Sequence, residues 1–75
     1  MKIDEITSLI QSQIPDAQVS VEGEGCNFSV TVISEQFRDQ SLLQRQKSVM
    51  APFKEKIASG ELHALSVKTR LPEDA

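Results

Sequence analysis

The apolar positions of this chain change their period several times, and each change marks an element. Ile3, Ile6, Ile10 and Ile14 recur at three- and four-residue intervals and Pro15 stops the pattern, so the sequence predicts an amphipathic helix over residues 2–13. Ala17, Val19 and Val21 then alternate with Gln18, Ser20 and Glu22, the two-residue period of a half-buried strand. Gly23-Glu24-Gly25 reads as a turn. Phe28, Val30 and Val32 alternate with Ser29, Thr31 and Ile33, a second strand rich in β-branched residues. A connection this short makes the pair an antiparallel hairpin.

A helical period returns after residue 40. Ser41, followed three residues later by Gln44, has the form of a capping box. Leu42, Val49, Phe53 and Ile57 are then expected near one face, with Leu43 and Met50 beside them. Pro52 has no amide donor, so the helix should kink or split near residues 48–51. Gly60 supplies a C-terminal stop. Residues 63–69, His-Ala-Leu-Ser-Val-Lys-Thr, give a third strand with Leu65 and Val67 toward the core. The remainder reads as a polar tail, expected to be flexible over 71–75. The order is α-β-β-α-β in one small α+β domain spanning residues 1–75, without internal repeat or low-complexity linker.

That order has a geometric consequence. A strand, a helix and another strand form a crossover unit, which normally leaves its two strands parallel. The starts of two parallel strands lie at the same edge of a sheet. Cys26 precedes the second strand and His63 opens the third, and each is in phase with the inward positions of its own strand. Neighbouring strands are about 5 Å apart. The single cysteine and the single histidine of the chain are therefore expected to converge.

Composition narrows what such a pair could do. A chain of 75 residues buries only about 60% of its unfolded surface, so its core is thin. One cysteine forms no disulfide within the chain, which points to a reducing, cytoplasmic compartment. The N-terminal segment has spaced apolar residues and no continuous apolar run, the pattern of neither a signal peptide nor a membrane span. A Cys–His nucleophile needs an oxyanion site and a residue to orient the imidazole, and nothing in the sequence identifies either, so the chain reads as a non-enzyme. Thiolate and imidazole are good ligands for zinc or an iron–sulfur cluster, but such sites take about four ligands. This chain would supply half a site, to be completed by another molecule. The plain alternatives are a small apolar thiol and a histidine merely hydrogen-bonded at a strand end.

Charge is unevenly placed on a chain of net charge −3. Residues 1–35 hold one basic residue against six acidic ones, and residues 38–70 hold seven basic against three acidic. This permits either a basic face or an ordinary solvated helix, and no aromatic residues accompany the charges for base stacking.

The segments Cys-Asn-Phe-Ser-Val-Thr-Val-Ile-Ser-Glu-Gln-Phe (26–37), Arg45 and Val49, and above all Gly-Glu-Leu-His-Ala-Leu-Ser-Val-Lys-Thr (60–69) resemble BolA-like proteins. The resemblance runs from the first helix to about Arg70. It implies an α-β-β-α-β core with a mixed three-stranded sheet similar to the type II KH fold. It also implies pairing with monothiol glutaredoxins of the CGFS type and a [2Fe–2S] cluster shared between the two proteins, in iron–sulfur trafficking or iron regulation. The family's histidine ligand maps onto His63, and the ligand from the loop between the first two strands onto Cys26. The glutaredoxin cysteine and a bound glutathione would complete the set, the isolated chain being a metal-free monomer. Protonated imidazole cannot ligate, so acidification would loosen such a cluster. Some members are described as DNA-binding regulators, which would place Arg45, Lys47, Lys68 and Arg70 on a nucleic-acid face, although no GxxG loop is present. One departure stands out: Phe37-Arg38-Asp39 has Asp where many members have Gly, with an expected effect on the turn before the second helix.

Overall fold

The computed structural model describes residues 2–25 and 27–74; Met1, Cys26 and Ala75 lie outside the described residues. The chain runs through α1 (Ile3–Gln13), β1 (Gln18–Glu24), β2 (Asn27–Ile33), α2 (Leu42–Met50), α3 (Lys54–Ala58) and β3 (Ala64–Arg70). Short 3-10 turns occupy Glu35–Phe37, Ala51–Phe53 and Pro72–Asp74. The strand order is β1-β2-β3. β1 pairs antiparallel to β2, and β3 pairs parallel to it, from Asn27 opposite Ala64 to Ile33 opposite Arg70. The crossover through the helices thus yields the expected parallel pair and a mixed sheet.

One sheet face carries the core. Phe28, Val30 and Val32 of β2 are buried there with Ile6 and Ile10 of α1, Ile14, Phe37, Val49, Phe53 and Leu62. Val19, Val21, Leu65 and Val67 pack against this cluster from the flanking strands. Because side chains alternate across a strand, the outward set is Ser20, Glu22, Ser29, Thr31, Ser66, Lys68 and Arg70. The helices leave that face uncovered.

The capping box of α2 forms as read from the sequence. The Gln44 amide donates to the Ser41 hydroxyl at 3.2 Å and the Ser41 amide donates to Gln44 Oε1 at 3.0 Å. Pro52 splits the helical region, which passes through the 3-10 turn Ala51–Phe53 before resuming as α3. Two expectations change. Leu42 and Leu43 are 70% and 65% exposed and Ile57 is 38% exposed, so only Val49 and Phe53 of the expected face are buried. The 3-10 turn has three residues per turn rather than 3.6, which resets the helical phase before Ile57. Gly23 and Glu24 belong to β1, and pairing continues to Glu24 opposite Asn27, so the hairpin is tighter than a three-residue turn at 23–25. Asp39 has no positive φ, the conformation that a glycine there would favour.

The C-terminal segment is also tied to the body. Leu71 packs against the core. Arg38 joins Glu35 on one side and Glu73 on the other, with Nη1 2.7 Å from Glu73 Oε1. Hydrogen bonds from Arg38 hold both carboxyls below their usual range, and the two acids raise the guanidinium's pKa.

Candidate metal centre

His63 stands one residue before the first rung of β3, where Ala64 pairs with Asn27. It is exposed, while Leu62 beside it is fully buried. The Leu62 amide donates to the Lys56 carbonyl at 3.2 Å, across a reversal at Gly60, whose φ is +85°. Lys56 Nζ also lies 3.1 Å from Glu61 Oε2, and the Glu61 carboxylate raises the lysine's pKa. The imidazole is therefore presented on backbone anchored at both sides, by a buried leucine before it and a ladder rung after it. The sequence marked His63 by its position at a strand start. It gave no sign of the Leu62 anchor, because an isolated leucine between polar residues has no period to read.

Cys26, the other expected ligand, lies outside the described residues; in the sequence it directly precedes Asn27, the ladder partner of Ala64. A [2Fe–2S] cluster takes four ligands, and imidazole and thiol are of the right softness for it. The exposed His63 fits as one such ligand. Among the described residues no group of three or more His, Cys, Asp or Glu side chains gathers around a common point.

The residues expected on a nucleic-acid face fall into different settings. Arg45 is half-buried on α2, and its Nε donates to the carbonyls of Phe37 and Gln40, each at 3.1 Å. Its guanidinium carbon lies 5.9 Å from the centre of the Phe37 ring, within cation–π range. This arginine holds the turn before α2 in place. Lys47 is exposed on α2, whereas Lys68 and Arg70 project from the uncovered face of β3. On that same face Glu22 and Glu24 occupy the opposite corner, on β1 at the hairpin end.

A three-stranded mixed sheet, helices on one face only, and an exposed histidine leading into the parallel edge strand define a small α+β domain of a distinct class. Residues 6–74 match the model of the BolA-like proteins, and the chain belongs to that family. It is 32% identical over 74 residues to the acid stress protein IbaG of Escherichia coli, covering 99% of this chain and 88% of that protein. Among solved structures it is similar to a bolA protein homologue from Coxiella burnetii, with a TM-score of 0.82 and 29% identity over 99% of this chain and 95% of the other. Yeast Fra2 superposes with a TM-score of 0.73 at 29% identity, covering 99% of this chain and 83% of Fra2.

Proposed function

We propose that this chain is a non-catalytic partner of a monothiol glutaredoxin, sharing a [2Fe–2S] cluster in iron–sulfur trafficking or iron regulation. The observation that carries the reading is the setting of His63: an exposed imidazole on anchored backbone, at the end of the sheet where β2 also begins. Cys26 and His63 would be this chain's contribution to the cluster, with the glutaredoxin cysteine and glutathione supplying the rest. As a neutral ligand in place of a thiolate, His63 would remove negative charge from one iron and raise the reduction potential.

The test is reconstitution of the cluster with a CGFS glutaredoxin and glutathione, followed by visible circular dichroism. The expected result is a spectral change on adding this protein that is lost in His63→Ala and in Cys26→Ser. An identical change with the intact protein and both variants would remove the ligand assignment.

The alternative reading is a DNA-binding regulator. It draws on Lys68 and Arg70, which lie on one exposed face. It stands second because Arg45, which that reading also needs, is engaged with Phe37 and Gln40, and because the same sheet face ends in Glu22 and Glu24.

A further inference from the structure

The uncovered sheet face is not level. At one end its rows are long: Thr31 pairs with Lys68 and Ile33 with Arg70. At the other end Ser29 pairs with Ser66 and Asn27 with Ala64, side chains of only a few atoms. The face consequently sinks into an open hollow of about 380 Å³, lined by Glu22, Asn27, Ser29, Ala64 and Ser66. It lies at the end of the sheet where His63 leads into β3. Among the described residues, Asn27, Ser29 and Ser66 make no side-chain hydrogen bonds, and neither Glu22 nor Glu24 enters an ion pair.

We infer that this hollow receives a lysine or arginine side chain of the partner that shares the cluster, with Glu22 as its counter-charge; the inference rests on the glutaredoxin reading above. Three features select that occupant. Glu22 on the rim, with Glu24 one row away on the same face, attracts a cation and repels a phosphate, so this end of the sheet suits a protein rather than a nucleic acid. The hydroxyls of Ser29 and Ser66 and the amide oxygen of Asn27 are free acceptors for ammonium or guanidinium protons. Ala64 and the serine β-carbons offer an apolar floor for the aliphatic stem that both cationic side chains carry. Ala64, on the floor of the hollow, directly follows His63 in the chain, so the hollow and the proposed ligand belong to the same end of the sheet.

Cluster-free binding of a CGFS glutaredoxin, measured by isothermal titration, tests this. Glu22→Gln removes the counter-charge, Glu22→Lys reverses it, and Ser66→Phe fills the hollow; all three are at exposed positions, and far-ultraviolet circular dichroism checks their fold. The expected result is that Glu22→Lys and Ser66→Phe each weaken binding by about tenfold or more, with Glu22→Gln between them and the native chain. The native affinity should fall with added salt, and this salt dependence should be blunted in Glu22→Gln. Native affinity in Glu22→Lys and Ser66→Phe would overturn the inference and leave the partnership standing. A native chain that does not bind the glutaredoxin would overturn both.

Discussion

The Ser34 hydroxyl donates to a carboxylate oxygen of Asp16 at 2.7 Å, joining the α1–β1 connection to the end of β2. The second carboxylate oxygen accepts the Glu35 amide at 3.1 Å, and the Gln36 side chain donates to the first at 3.1 Å. Ser34 is buried, so this carboxylate satisfies a hydroxyl that has little water available to it. The hydrogen bond from Ser34, with those from Glu35 and Gln36, holds the Asp16 carboxyl below its ordinary value of 3.8. A depressed folded-state pKa stabilises the fold at pH above the ordinary value and ceases to do so as pH falls through the folded one. Asp16→Asn should therefore melt below the native protein at neutral pH, with the gap closing in strong acid. Thermal melts from neutral pH to about pH 2, below the ordinary carboxylate range, check this, and a gap independent of pH would remove the carboxylate from the account.

Gly23 is held by its neighbours as well as by its own conformation. Its φ is +126°, and a β-carbon there would stand 2.3 Å from the Asn27 carbonyl oxygen and 2.9 Å from Phe28 Cα. Both obstacles are backbone, so they cannot swing aside. Gly25 has φ +65° with open space around the corresponding position. Gly23→Ala is expected to cost at least about 2 kcal/mol, from clash added to conformational strain, and Gly25→Ala about 1 kcal/mol from conformation alone. Urea denaturation of the two variants should rank them in that order.

Thr69 lies on the core-facing side of β3, and its hydroxyl oxygen is buried with no hydrogen-bond partner among the described residues. An unpaired buried hydroxyl is a cost that a methyl group of similar shape does not carry. Thr69→Val should raise stability by about 1 kcal/mol, or roughly 4–8 °C in Tm for a domain of this size. A lower Tm would show that the hydroxyl finds a partner in solution.

Arg45 and Lys47 are two residues apart and differ in what they touch. Arg45→Ala removes two hydrogen bonds to carbonyls and the contact with Phe37, with an expected loss of about 1–2 kcal/mol. Lys47→Ala, at an exposed site, should stay within about 0.5 kcal/mol of the native chain. Chemical denaturation distinguishes the pair. Equal stability of the two would return Arg45 to the pool of free surface cations.

Much of the architecture was legible along the chain. The isoleucine period of α1, the capping box of Ser41 and Gln44, the break at Pro52 and the alternation in β2 are local signals, each carried by residues within a few positions of one another. The parallel pairing of β2 and β3 followed from their order and the handedness of crossovers. His63 was visible because a strand start is a place that sequence can mark. The family resemblance added what His63 and Cys26 are expected to hold.

What the sequence by itself determined, then, is the element order, the inward positions of each strand and the presence of one imidazole at a sheet edge, because these depend on short-range periodicity and turn chemistry. Tertiary structure alone decided the rest. Leu42 has the right period for the core, yet it stands on the exposed first turn of α2, because period gives direction and not the extent of the surface to pack on. Arg45 became a structural residue because Phe37 and Gln40 folded back within its reach. Ser29 and Ser66, ordinary outward residues when read along the chain, form the floor of a hollow only because a parallel register sets two small side chains opposite one another. Those outcomes depend on residues far apart in sequence, and no local pattern encodes them.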